Sequence, residues 1–185
     1  MITGTKVTLR MFEESDLDAY AKIVNNLSNA TPYWPSGLQP KANLKKEFSE
    51  NSFWKDDYKL LLVTDKDGKM IGEVDTFKSS PNIKGPEVGF RMFEKKNMGR
   101  GFMSEALRLF SAYLFQTDST YLRLTLLIHS KNTASLKVAE KCGYKKEGTL
   151  RNAWADYSTG IPHSDEILSL LRDESPSLID LLQKQ

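Results

Sequence analysis

The period of the apolar positions changes several times along the chain, and each change marks an element. Lys6-Val7-Thr8-Leu9-Arg10 alternates and predicts an opening strand. Behind Ser15 or Asp16 as a cap, Leu17, Tyr20, Ile23 and Val24 recur at helical spacing and predict a first helix. Residues 31–40 contain Pro32, Pro35, Pro40 and Gly37, which excludes regular structure there; a second helix is expected over 42–53. Strands are expected over 59–64 and 70–77, joined by a hairpin at Asp67-Gly68, and over 87–93.

The second half is more apolar. Phe102, Ala106, Leu109 and Tyr113 form one helical row, and Met103, Leu107, Phe110 and Leu114 form its neighbour. A long helix opened by Gly99 or Gly101 should therefore lie flat on a sheet. Residues 122–128 are a short apolar run, consistent with a strand buried on both faces. A helix over 132–141 should turn Ala134, Leu136 and Val138 inward and stop at Gly143. Strands over 144–150 and 166–171 follow, and Pro176 sets off a short terminal helix within 176–183. The order predicts a mixed α/β protein with one crossover region.

Composition narrows the class. The 185 residues suit one compact domain over 1–185, and a hydrophobic fraction of 39% excludes wholesale disorder. Lys and Arg number 26 against 24 Asp and Glu, so there is no electrostatic case for a nucleic-acid partner. Cys142 is the sole cysteine; a reducing, cytoplasmic setting is expected, and Cys142 reads as buried filler. No run approaches the ~18 apolar residues that cross a bilayer, and the first ten residues lack a signal-peptide pattern, so no membrane partner is expected. His129 and His163 lie far apart without metal-ligand spacing, so no metal is expected. Asp165 is expected to bond backbone or the Arg151 region.

The segment Lys96-Asn97-Met98-Gly99-Arg100-Gly101-Phe102 falls between a predicted strand and a predicted helix. Two glycines allow close backbone approach, and residues 98–103 can turn successive N–H groups toward an anion. The helix N-terminus adds partial positive charge, and Lys95, Lys96 and Arg100 add formal charge, which together suit a diphosphate. A turn with solvated lysines is the alternative. No Gly-Lys-Ser/Thr follows, which excludes a mononucleotide P-loop, and the third glycine of a dinucleotide fingerprint is missing.

In its wider context, this segment resembles the Gln/Arg-x-x-Gly-x-Gly/Ala pyrophosphate loop of the GCN5-related N-acetyltransferases, with Lys96 keeping a cation in the first position. Gly101-Phe102 with Glu105-Ala106-Leu107 is similar to that family's helix start. Asn132 and Ser135, then Glu140-Lys141-Cys142-Gly143-Tyr144 and Glu147-Gly148, resemble its second half. Val7-Thr8-Leu9-Arg10 with Asp16, and Leu150-Arg151-Asn152 with Gly160 and Asp165, are similar to the branch of the ribosomal-protein N-terminal acetyltransferases RimJ and RimL. The resemblance runs from Lys6 to Leu171.

It implies a twisted mixed sheet, splayed at an acetyl-CoA site and flanked by helices. Acetyl-CoA would be the cosubstrate, with no metal. Its pantetheine arm would pair with the strand holding Phe90, Arg91 and Met92. Its diphosphate would lie on Met98, Gly99, Arg100, Gly101, Phe102 and Met103. Asn132, Ser135 and Lys141 complete the cofactor set; Asn132 as a plain helix cap is the alternative. An amine would attack the thioester directly. The acceptor would be a protein N-terminus or a small-molecule amine, and the protein a monomer or homodimer.

Glu87 resembles the family's base, with Glu73 and Asp75, on one face by the period of two, as alternatives. The family's acidic tyrosine is replaced by Ala139, leaving Ser135 to bond the departing sulfur. Tyr33, Trp34, Glu73, Asp75 and Trp154 are expected to wall the acceptor groove, although the two aromatics of the loop also suit core anchors. Ala153-Trp154 stands where RimL-like sequences tend to carry a glutamate. A non-catalytic acyl-CoA-binding module is the rival reading.

Overall fold

The computed structural model describes residues 1–29, 33, 38–155 and 159–183. Eight strands form one sheet: β1 (Ile2–Thr3), β2 (Thr8–Arg10), β3 (Lys59–Thr64), β4 (Met70–Phe77), β5 (Glu87–Met92), β6 (Arg123–His129), β7 (Lys145–Ala155) and β8 (Pro162–Leu171). Their spatial order is β1-β2-β3-β4-β5-β6-β8-β7, and every neighbouring pair is antiparallel except β5 and β6. The helices are α1 (Leu17–Val24), α2 (Lys41–Asn51), α3 (Phe102–Thr117), α4 (Thr133–Lys141) and α5 (Leu178–Gln183).

The sheet separates two apolar layers. On β3, Leu61 and Val63 pack with the α3 residues Ala106, Leu107 and Phe110, while Leu60 and Leu62 pack with Leu17, Tyr20 and Leu44 of α1 and α2. Alternation thus buries both faces of the strand. The two rows read on α3 both meet the core, with Ala106, Leu107 and Phe110 fully buried. Leu124, Leu126 and Ile128 extend that core along β6, so Thr125, Leu127 and His129 point to the opposite face.

Several expectations shift. Neither Ser15 nor Asp16 caps α1 by bonding its amides; the Asp16 carboxylate reaches back to the Glu13 N–H at 2.8 Å and grips Arg10 through two hydrogen bonds. Helix α2 ends at Asn51, because Ser52 and Phe53 take φ of 54° and 57° and turn the Phe53 ring into the core. On α4 the fully buried residue is Ala139; Leu136 and Val138 are partly buried and Ala134 is exposed. Strands β7 and β8 extend beyond 150 and start before 166, forming a long two-stranded arm in which β7 is mostly exposed.

Candidate active site

Strands β5 and β6 share one register pair, Glu87 with Thr125. Just before it, the Thr125 N–H donates to Pro86 O at 3.1 Å, and the Leu122 and Arg123 amides donate to Lys84 O. Beyond it the two strands part. On its other edge β5 pairs with β4 throughout, and the Phe93 N–H donates to Ile71 O at 2.9 Å. Counting back by twos, the amides of Arg91 and Gly89 face β4 and those of Val88, Phe90 and Met92 point the other way; the Val88 N–H meets Thr125 O in the Glu87–Thr125 pairing, so the amides of Phe90 and Met92 face the gap. Their side chains belong to the α3 core; the opposite face of β5 carries Glu87, Gly89 and Arg91.

The loop after β5 closes the wide end of this gap. Gly99 and Gly101 have φ of +73° and +82°, left-handed conformations that glycine adopts at no steric cost. Glu105 donates the first closing bond of α3, to Gly101 O at 3.1 Å, so the amides of Phe102, Met103 and Ser104 have no helical acceptor. Lys6 Nζ bonds Arg100 O, and the Arg100 guanidinium lies 4.7 Å from the Phe102 ring centroid. Lys96 is held by Glu94 at 2.6 Å. Orphan amides, a helix N-terminus and nearby cations are the donor set a diphosphate requires.

Across the gap, Asn132 caps α4: its Oδ1 accepts the Ser135 N–H at 3.2 Å. Lys141 ends α4 exposed, and its carbonyl accepts from Arg108. Cys142 is buried with its thiol on Ser104 O, and burial pushes its pKa up to about 12, so it carries no thiolate chemistry.

The face away from α3 collects acidic groups. Glu73 on β4 opposes Arg91 on β5 and pairs with it at 2.8 Å, and Tyr20 of α1 donates to the same carboxylate at 2.9 Å. Burial pushes Glu73 up, and Arg91 and Tyr20 pull it back. Asp75 opposes Gly89, is 3% exposed, and its Oδ1 has no hydrogen-bond partner among the described residues. Burial and the neighbouring Glu73 push its pKa up to about 8. Glu87 is half-buried and is also raised, by burial first and Asp165 second.

The β7–β8 arm adds aromatic groups to this face. His129 and His163 are not separate in space: His129 Nε2 and His163 Nδ1 lie 2.9 Å apart. The Trp154 ring is 4.6 Å from His163 and 5.7 Å from His129, and the Tyr33 ring, tilted by 50°, lies 4.8 Å from His129. Asp165 bonds the Trp154 indole N–H at 3.2 Å rather than backbone or the Arg151 region. Trp34 and residue 157 lie outside the described residues. Tyr33 and Trp154 are thus brought together through the histidines. Glu73, Asp75 and Glu87 form a second group on the same face. The histidine pair and the Arg91–Glu73–Tyr20 chain are absent from the sequence reading. Only the strand parity of 163 and 165, hidden when β8 is begun at 166, could have signalled the pairing.

A parallel pair that opens beside a glycine-turned helix start is a distinctive arrangement, and the sequence comparisons agree with it. The profile of the Acetyltransferase (GNAT) domain matches residues 6–145. The chain is 26% identical over 155 residues to an SPbeta prophage-derived uncharacterized N-acetyltransferase, YokL, of Bacillus subtilis, covering 80% of this chain and 81% of that protein. Spermidine N-acetyltransferase from Vibrio cholerae, solved with CoA and spermine, superposes with a TM-score of 0.72 at 19% identity, covering 93% of this chain and 99% of that one. RimL, the ribosomal L7/L12 alpha-N-protein acetyltransferase solved with coenzyme A, superposes with a TM-score of 0.75 at 21% identity over 94% and 98%. With the profile spanning the gap, the loop and both glycines, the chain belongs to the GNAT family of acetyltransferases.

Proposed function

We propose that this protein transfers the acetyl group of acetyl-CoA to a primary amine by direct attack. The observation that carries the reading is the gap between β5 and β6, bordered by the amides of Phe90 and Met92 and closed by the orphan amides of α3. The residues fit the cosubstrate: extended backbone edges suit the amides of a pantetheine arm, and the loop suits a diphosphate. Phe90, Arg91 and Met92 are assigned to the arm, Met98 to Met103 to the diphosphate, and Asn132, Ser135 and Lys141 to the α4 side.

Acetyl-CoA supplies an activated acyl carbon; the chain's own groups do the rest. A strand amide at the gap is already oriented to donate to a developing oxyanion. Glu87, half-buried with a raised pKa, takes the proton lost as the C–N bond forms. Ser135 donates a hydrogen bond to the departing sulfur, since Ala139 is buried in the core and carries no hydroxyl. Tyr33 and Trp154 wall the acceptor on one side, and Glu73 and Asp75 on the other.

The acceptor is a primary amine that arrives as a cation, a small polyamine or a protein N-terminus of the RimJ/RimL kind. The acidic cluster of Glu73, Asp75 and Glu87 on one face and an aromatic wall support that reading. Thiol release from acetyl-CoA with a panel containing spermidine, a simple diamine and a peptide N-terminus tests it. Amine-dependent release is expected. Tight acetyl-CoA binding with no release would identify a binding module.

A further inference from the structure

The amine reaction sheds two protons, and the residues named so far account for one. An alkylammonium must lose a proton before its nitrogen has a lone pair to attack with. It loses a second as the new bond forms. We propose that Asp75 is the catalytic residue that removes the first: its carboxylate takes a proton from the bound ammonium before the attack, leaving Glu87 the second. The assignment rests on the acetyl-transfer reading above.

The geometry is unusual. Asp75 faces Gly89 across the β4–β5 ladder, and a Cβ at residue 89 would stand 2.0 Å from Asp75 Oδ1. Only glycine leaves room for the carboxylate to lie across β5, the strand whose far edge borders the gap. Asp75 Oδ1 therefore lies over β5 itself, the strand assigned above to the acyl arm. The Phe77 ring is 3.0 Å from the same Cβ position and walls the carboxylate on one side. Oδ1 is buried and bonded to nothing among the described residues, although a carboxylate lost to solvent normally finds a donor. On the same face Glu73 pairs with Arg91 at 2.8 Å and also holds Tyr20.

The charged and titratable groups around Asp75 favour proton uptake. Glu73 on its own strand and Glu87 on β5 are acidic, Tyr58 before β3 is neutral and pushed above its usual range, and Arg91 alone opposes them. Asp75 consequently holds a proton up to about pH 8 and is a carboxylate above it. The balance closes. The ammonium N–H pair stays on nitrogen and its proton passes to Asp75. That nitrogen bonds the acyl carbon and gives its second proton to Glu87. The C–S bond breaks with its pair on sulfur. Asp75 and Glu87 then return their protons to water.

The test compares wild type, Asp75→Asn and Gly89→Ala in two measurements. For kcat/KM of the amine, wild type should rise through about pH 8 and level. Asp75→Asn should lose that rise and fall by roughly 10²–10⁴-fold, with KM for acetyl-CoA unchanged. Gly89→Ala keeps the carboxylate but displaces it, so it should lose activity in the same direction. The second measurement is thermal melting of the free protein. Burying an aspartate with a raised pKa costs stability as pH climbs from 3.8 to about 8, so Asp75→Asn should remove that part of the slope. An Asp75→Asn enzyme with the wild-type pH profile and rate overturns the proposal while acetyl transfer stands. A wild type that releases no thiol with any amine, even if the melting difference persists, overturns acetyl transfer and this role together.

Discussion

His129 and His163, on strands separated by the whole of α4 and β7, share a hydrogen bond of 2.9 Å between Nε2 and Nδ1. The tautomers follow from one further contact: the Lys131 N–H donates to His129 Nδ1 at 2.9 Å. The His129 proton therefore sits on Nε2 and is given to His163 Nδ1. Protonating His129 would break the Lys131 contact. Burial and His163 hold its pKa below the usual 6.5. In the unfolded chain His129 takes up a proton first as pH falls, so stability is full above 6.5 and is lost as pH falls toward the lower folded value. Melting temperatures should drop below that pH in the wild type. His129→Gln, which cannot ionise, should flatten the drop; an unchanged acid limb would count against the assigned tautomer.

Glu105 joins α3 to the chain start. Its carboxylate accepts the Lys6 and Val7 amides at 2.7 and 2.9 Å and the Thr5 amide at 3.0 Å. With the Thr5 hydroxyl also donating to it, a glutamine at 105 would offer one oxygen to four donors and turn its own N–H groups against some of them. Glu105→Gln should cost about 1.5–3 kcal/mol in urea unfolding. Acetyl-CoA affinity should fall as well, because the same turn carries the loop amides.

Gly101 has φ of +82°, and a Cβ there would meet only the flexible tip of Lys6, at 3.1 Å. Strain, not collision, is then the cost. Gly101→Ala should lose roughly 1–2 kcal/mol, which by affinity arithmetic weakens acetyl-CoA binding about five- to thirtyfold in calorimetry. Circular dichroism should stay as in the wild type.

For the proton transfer during attack, Glu87→Gln should lower turnover by roughly 10²–10⁴-fold with little change in acetyl-CoA binding. Ser135→Ala should lose less, because its role is a hydrogen bond to sulfur. Near-normal turnover of Glu87→Gln across the pH range would move that step to another carboxylate.

The elements most legible in the sequence were those with one unambiguous period. The two rows of α3 and the Asp67-Gly68 hairpin are examples, with Asp65 Oδ1 accepting the Asp67 and Lys69 amides to shape that turn. The arm of β7 and β8 was half hidden. Its outer residues are exposed, so no apolar alternation marks where it continues. The glycine-turned loop before α3 showed itself because glycine and charge are local signals. Glu73 and Asp75 were legible as sharing one face, but the contacts Asp75 over Gly89, Glu73 on Arg91 and His129 on His163 were not, because they are meetings across strands, and a linear sequence shows parity but not partners. Ala139 was missed as the buried position of α4 for a related reason: alanine is read as neutral until its neighbours are known.

The single register pair of Glu87 with Thr125 also divides the sheet. Five strands lie on one side of that pair and three on the other, so the sheet behaves as two leaves bound at one stitch. A ligand arm that bonds the free edge of β5 acts as an added rung between the leaves. Amides at 90 and 92 should then exchange slowly with solvent only while the rung is in place, whereas that of 88, already held by Thr125 O, should be protected throughout.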